Sequence, residues 1–240
     1  MRSLVNKGQK GFELIAHRGY RLLFPENTLV AFRKSLNLGA DGIELDVQMS
    51  CDNVPVVIHD EIVDRTTNGQ GPVTNMTFRD LKQLDAGAKF SNSYRGERIP
   101  SLREALLTVR HKGIMYIELK KTVTPPDLER ILYEIYQSDM EKHVRVISFS
   151  FEQLEIFRCL NSSIPLGKLL LPDDFNIERM KEANITFACA PFQAFIEIPQ
   201  LLPLLKANKF IPNANGITSR RTARYLLQLG IHILGSDIAL

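Results

Sequence analysis

The sequence predicts an α/β protein folded as one (β/α)8 barrel. Three observations carry this. Short apolar runs bounded by turn residues recur along the chain, the longer stretches between them have helical periodicity, and 240 residues suffice for a single barrel of about 250. Such alternation is the pattern of βα units around a parallel sheet, whose strands are buried on both faces and read as nearly continuous apolar runs. Eight runs are expected as strands, at residues 13–16, 42–49, 114–119, 144–148, 166–170, 186–190, 209–212 and 231–235. Eight units favour a closed TIM barrel over an open sheet.

The segments between these runs carry helix signals. Leu29, Phe32 and Leu36 fall at i, i+3 and i+7 after Pro25-Glu26-Asn27-Thr28, with Gly39 as the stop. Ser101 is a cap before 102–110, a further helix covers 128–136, and 221–229 is closed by Gly230. One more apolar run, 54–58, breaks the alternation, because only Asp52-Asn53 separates it from the second strand. A gap that short permits a hairpin and forbids a parallel crossover. If Asp52 and Asn53 are the two loop residues, Cys51 pairs with Val54 and His59 falls opposite Asp46. Residues 60–98, rich in Gly, Asn, Thr, Ser and Arg, leave from the His59 end and are expected as an inserted lid or small subdomain on the single domain 1–240.

Composition narrows the partners. The chain is 44% hydrophobic and 24% charged, average for a soluble globular protein, and its formal charge of +3 is spread along the sequence. Neither nucleic acid nor an anionic membrane is expected as a partner. Cys51, Cys159 and Cys189 cannot all pair and are not spaced for metal chelation, so they read as reduced thiols. Residues 1–10 lack the apolar run of a signal peptide, and no stretch approaches eighteen consecutive apolar residues. A cytoplasmic protein without stable membrane insertion is expected; its oligomeric state is left open.

On the second strand, period-2 alternation puts Glu44, Asp46 and Gln48 on one face and Ile43, Leu45, Val47 and Met49 on the other. With the apolar set facing the helices, Glu44 and Asp46 point into the barrel near the strand's C-terminal end, where barrel enzymes place their active sites. Glu118 shares a face with Tyr116 and Lys120 on the third strand. A lone strand Glu is usually a counter-ion to Arg or Lys, but three carboxylates on barrel strands, two of them at i and i+2, point to a metal. Oxygen-only ligation suits one hard divalent cation, Mg²⁺ or Ca²⁺, better than zinc.

His17 ends the first strand in Ile15-Ala16-His17-Arg18-Gly19, and His59 ends the run Val56-Val57-Ile58-His59-Asp60. A single strand-end histidine is more often structural, but two imidazoles brought to one rim beside a metal make a general base and a general acid. Arg18 and Lys120 could clamp a phosphoryl group as well as balance the carboxylates. His111, His143 and His232 have no such setting. Phe149, Phe192 and Phe195 follow later strands, where an aromatic residue is more often core than pocket wall.

These residues lie in a series of motifs: Ala16-His17-Arg18-Gly19, Pro25-Glu26-Asn27-Thr28, Gly39-Ala40-Asp41-Gly42-Ile43-Glu44-Leu45-Asp46-Val47, Pro55-Val56-Val57-Ile58-His59-Asp60, Arg65-Thr66-Thr67-Asn68-Gly69, Ile99-Pro100-Ser101-Leu102, Ile117-Glu118-Leu119-Lys120 and Ser148-Phe149. In that order they resemble the glycerophosphodiester phosphodiesterase family, densely over about the first 150 residues. The resemblance implies a (β/α)8 TIM barrel with a small insertion after the hairpin that follows the second strand. It implies Glu44, Asp46 and Glu118 as metal ligands, His17 and His59 as the acid/base pair, and Arg18 and Lys120 as contacts to the substrate phosphate. The implied reaction hydrolyses a small-molecule glycerophosphodiester, such as glycerophosphocholine or glycerophosphoethanolamine, to an alcohol and sn-glycerol 3-phosphate. We assign His17 as base and His59 as acid, with water or the substrate's own adjacent hydroxyl as nucleophile.

The C-terminal third departs from the family pattern. It contains no tryptophan, where the family carries a Trp-Thr pair on its seventh strand, and the closing motif reads Gly235-Ser236-Asp237 in place of a Thr-Asp ending, with the eighth helix missing or vestigial. Competing readings are a lysophospholipid substrate, a non-catalytic phosphate-ester binder, and a carboxylate-pair glycosidase. The last leaves both rim histidines without a role.

Overall fold

The computed structural model describes residues 11–171 and 175–240; the segment 1–10, on which the absence of a leader was read, lies outside the described residues. The described chain runs β1 (Glu13–His17), α1 (Leu29–Asn37), β2 (Gly42–Met49), β3 (Pro55–Val57), α2 (Phe78–Leu81), α3 (Leu102–Val109), β4 (Ile114–Leu119), α4 (Pro125–Gln137), β5 (Val144–Ser148), α5 (Phe151–Leu160) and β6 (Leu166–Leu169). It continues with α6 (Ile177–Glu182), β7 (Phe187–Pro191), α7 (Phe192–Glu197), α8 (Leu201–Ala207), β8 (Ile211–Ile217), α9 (Arg220–Gln228) and β9 (Ile233–Ser236). Eight strands pair in parallel, and β1 closes the ring by pairing with both β2 and β9. This is the expected (β/α)8 barrel. Of the described strands only β3 is antiparallel, hydrogen-bonded to β2.

The strands' two faces make two apolar layers. Ala16, Ile43, Leu45, Val47, Ile117 and Val146 face outward and are buried under Leu106, Ile131 and Leu154 of the helices. Ile15, Tyr116, Ile147, Leu169, Phe187, Cys189 and Ile233 fill the barrel's interior. The helices start where the sequence places stop and start signals: Thr28 accepts a hydrogen bond from Ala31 N at the head of α1, and Ser101 and Glu104 form a reciprocal capping box on α3. Among the described residues no helix is long and apolar enough to cross a membrane.

Two expectations are corrected. The seventh barrel strand spans 211–217, where 209–212 was expected. Lys209, at φ +65°, and Phe210, whose N–H donates to Leu205 O, belong to the C-terminal turn of α8. The strand then continues through Asn213, Asn215 and Gly216, residues whose type reads locally as a turn; Asn213 pairs with both β7 and β9, Asn215 with β7, and Gly216 lies in a bulge against β9. The second correction is the hairpin register. Val57 pairs with Val47 and Val56 with Gln48, one residue from the expected alignment, because the loop holds three residues, Cys51, Asp52 and Asn53. Asn53 adopts φ +58°, and Ser50, not Cys51, bonds to Val54. Ile58 therefore lies beside Asp46, its N–H donating to Asp46 O at 3.1 Å, and His59 is past the paired segment.

Residues 60–100 wrap around an apolar cluster of their own, in which Val63, Val73, Leu81, Ala86 and Ile99 pack against Val56 and Ile58 of the hairpin. This segment stands on the rim that carries His59.

Candidate functional site

Strand register brings the three carboxylates together. In the parallel pair β2–β4, Asp46 is the partner of Glu118 and Glu44 the partner of Tyr116; in β1–β2, His17 is the partner of Glu44. Side chains paired this way on an inward face project side by side. One carboxylate oxygen from each of Glu44, Asp46 and Glu118 lies within 4.8 Å of the others, and all three residues are buried. These three could hold a metal ion.

Their electrostatics are unequal. Burial and the charge of Asp46 push the Glu44 carboxyl up to about 8. Burial and Asp46 likewise raise Glu118. Asp46 is also buried, yet its pKa is lowered, because Arg18 and Lys120 outweigh desolvation. Arg18 Nε lies 3.2 Å and Lys120 Nζ 3.4 Å from the Asp46 carboxylate, to which Asn27 Nδ2 donates at 2.8 Å. Lys120 also donates to Glu118 at 2.6 Å. Glu44 Oε2 accepts the Arg18 backbone N–H at 3.0 Å, but its Oε1 is buried without a hydrogen-bond partner. An orphaned, desolvated carboxylate oxygen beside two further carboxylates fits a hard cation, whose charge would satisfy it.

The β1–α1 connection that carries Arg18 turns through three consecutive positive-φ residues, Arg18 (+49°), Gly19 (+80°) and Tyr20 (+53°). A Cβ on Gly19 would meet Ala31 Cβ at 2.8 Å, so only glycine lets the loop pack on α1. The left-handed Arg18 backbone aims its N–H at Glu44 while its side chain turns back to Asp46.

Each histidine is backed by an aspartate and each aspartate by an arginine. His17 Nδ1 lies 2.6 Å from Asp237 Oδ1, and Arg21 Nη2 donates to Asp237 Oδ2 at 2.9 Å. His59 Nδ1 lies 2.6 Å from Asp60 Oδ1, and Arg65 Nε donates to Asp60 Oδ2 at 2.5 Å. An ionised aspartate only accepts, so Nδ1 carries the proton in both rings and each Nε2 is left for chemistry. His17 Nε2 is 3.8 Å from Glu44. Burial lowers the His17 pKa, but Glu44 and Asp237 raise it further, leaving it above the ordinary imidazole value. Against the cost of desolvation, the hydrogen bonds from His17 and Arg21 hold the buried Asp237 down at about 2, and those from Arg65 and His59 hold Asp60 there too.

His59 reaches this rim by a route other than strand pairing. Gln48, on the inward face with Glu44 and Asp46, donates to the carbonyls of Ile58, His59 and Asp60 at 3.3, 3.0 and 2.5 Å and fixes the chain where β3 leaves the sheet. A cleft of about 580 Å³ opens beside it, lined by His59, Glu118, Lys120, Ser148, Phe149 and Gln153 among others. Of the three phenylalanines considered as wall, only Phe149 is; Phe195 is core and Phe192 packs against it.

All seven sequence-predicted residues, His17, Arg18, Glu44, Asp46, His59, Glu118 and Lys120, therefore converge on one end of the barrel. Asp237, Asp60, Gln48 and Asn27 were missed. Gln48 had a visible signal, a polar side chain on the carboxylate face. Asp237 stood out as the end of the closing motif Gly235-Ser236-Asp237 but carried no local sign of its partner, since 220 residues separate it from His17.

A family model for glycerophosphoryl diester phosphodiesterases matches residues 17–235. A glycerophosphodiester phosphodiesterase of Caldanaerobacter subterraneus is 39% identical over 201 residues, covering 81% of each chain. Among solved structures, a glycerophosphodiester phosphodiesterase from Agrobacterium tumefaciens superposes with a TM-score of 0.84 at 27% identity, over 95% of this chain and 97% of that one. An Oleispira antarctica phosphodiesterase in complex with the product sn-glycerol-3-phosphate superposes with a TM-score of 0.86 at 27% identity, over 94% of this chain and 92% of the other.

Proposed function

The chain belongs to the glycerophosphoryl diester phosphodiesterase family, and from that premise we propose that it hydrolyses glycerophosphodiesters such as glycerophosphocholine and glycerophosphoethanolamine to an alcohol and sn-glycerol 3-phosphate. The observation that carries this reading is the pair of imidazoles, each held by an aspartate through Nδ1, at the rim of three buried carboxylates with one unsatisfied oxygen. Glu44, Asp46 and Glu118 would hold one divalent cation, Mg²⁺ or Ca²⁺, which when bound supplies positive charge against the phosphoryl oxygens.

Arg18 and Lys120 orient the phosphate of the diester and offset charge that develops on it. His17 Nε2 takes the proton from the nucleophile, which is either water or the substrate's adjacent hydroxyl; in the latter case water then opens the resulting cyclic phosphate to sn-glycerol 3-phosphate. His59, protonated at Nε2, gives its proton to the departing alkoxide, so that the P–O bond breaks with a neutral alcohol leaving. The cleft beside Phe149 has room for one arm of a small diester. Residues 60–98, with an apolar cluster of their own, serve as the inserted subdomain over this rim. Because Cys51, Cys159 and Cys189 are all free, we place the activity in the cytoplasm.

Incubating the protein with glycerophosphocholine, glycerophosphoethanolamine and lysophosphatidylcholine in the presence of Mg²⁺ or Ca²⁺ tests the reading. Expected is sn-glycerol 3-phosphate from the two soluble diesters in preference to turnover of the lysolipid. Ligand binding without product release would overturn it.

A further inference from the structure

Beyond the groups that face the substrate, the two halves of the site are joined by one side chain from the inserted segment. We propose that Arg65 is a positioning residue that clamps the general acid and the phosphate-binding arginine into one unit, so that residues 60–98 contribute to turnover as well as to covering the rim. This deepens the phosphodiesterase reading above and rests on it.

The geometry is specific. The Arg65 guanidinium makes two forked contacts at once. Nε and Nη2 donate to the two oxygens of Asp60, at 2.5 and 3.2 Å; Nη1 and Nη2 donate to the two oxygens of Glu26, at 2.9 and 2.7 Å. Four of the five donors a guanidinium owns are thereby used. Asp60 holds His59 Nδ1, and Glu26 accepts from Arg18 Nη1 at 3.1 Å, with Arg18 Nε facing Asp46. A continuous chain His59–Asp60–Arg65–Glu26–Arg18–Asp46 thus spans from the rim histidine to the buried carboxylate.

Arg65 itself stands on a fixed turn. Thr67 is fully buried, and its Oγ1 and N–H both bond to Val63 O, at 2.9 and 3.1 Å. The Arg65 side chain, by contrast, is about half exposed. Exposed ion pairs contribute little to folding, so a stability role alone does not account for a doubly forked contact at this place. Lysine offers one point charge and cannot hold two carboxylates in fixed relative orientation.

Steady-state glycerol 3-phosphate release by wild type, Arg65→Ala, Arg65→Lys, His59→Ala and the double variant Arg65→Ala/His59→Ala, each with its thermal midpoint, tests the proposal. Expected for Arg65→Ala is a fall in kcat of about 10–100-fold, with Tm moved by no more than about 4 °C. Arg65→Lys should recover only part of the loss. In the His59→Ala background the same change should cost at least about threefold less than in wild type, because only the Arg18 arm of the clamp is left to position there. An Arg65→Ala kcat within about threefold of wild type would overturn the proposal, as would an equal loss in both backgrounds, the behaviour of a purely structural contact. A wild-type protein that releases no product would overturn the phosphodiesterase reading itself, a separate outcome.

Discussion

Glycerol 3-phosphate release by the His59→Ala and the His17→Ala proteins is expected to fall by about 10²–10⁴-fold each, with metal present and at neutral pH. At about 1.36 kcal/mol per decade, each loss corresponds to roughly 3–5 kcal/mol of transition-state stabilisation. Neither substitution opens a core cavity, since the histidine side chains are 20% and 31% exposed and stand on the rim. The thermal midpoint should therefore change little while turnover collapses. A substrate with a leaving group acidic enough to depart unprotonated separates the two roles. It should restore most of the rate to whichever variant lacks the general acid, here His59→Ala, and none to the other. Near-normal turnover of the natural diester by either variant would remove that histidine from the chemistry.

Glu44→Gln is expected to abolish activity while stabilising the metal-free protein at alkaline pH. The sign follows from Glu44 being held at about 8 against an ordinary 4.5. A carboxyl whose folded pKa is raised keeps its proton in the folded state over that window while the unfolded chain releases it. Metal-free stability is therefore lost as pH rises from about 4.5 to about 8. At about 1.36 kcal/mol per pH unit this amounts to a few kcal/mol, with the raised Glu118 acting in the same sense and the lowered Asp46 in the opposite one. Glutamine carries no such titration, so metal-free Glu44→Gln should melt above metal-free wild type at pH 8 and level with it near pH 5. Cation binding to the wild type should tighten with rising pH up to about 8, because Glu44 must release its proton to become a ligand. Melting curves with and without divalent ion across this range provide the check. A pH-independent affinity would remove Glu44 from the ligand set.

Much of this was legible from the residues because the barrel's rules are local. Glu44 and Asp46 could be assigned inward from the apolar partners alternating with them, and their depth from their place near the end of an eight-residue strand. The helix caps at Thr28 and Ser101 are chemistry within four residues. What escaped depends on backbone conformation or on distant parts of the chain. The hairpin register turned on Asn53 adopting a left-handed φ, which lengthened the loop by one residue and moved Ile58 into the place expected for His59. Even so, His59 arrives at the rim, because Gln48 holds the carbonyls of 58–60. The seventh strand was misplaced because Asn213, Asn215 and Gly216 have turn chemistry locally, although barrel closure requires them as strand. Asp237 and Arg65 carry no local sign of their partners, His17 and Glu26, which the fold alone brings near.

Three carboxylates holding one divalent cation beside two histidines are the centre of the proposed mechanism, and removal and return of that cation tests it most directly. Protein stripped with a chelator and dialysed should release no glycerol 3-phosphate from glycerophosphocholine. Titration with Mg²⁺ or Ca²⁺ should restore turnover, saturating at about one ion per chain, and Glu44→Gln should remain silent under the same titration. Undiminished turnover by the stripped wild-type protein would contradict the metal-assisted mechanism.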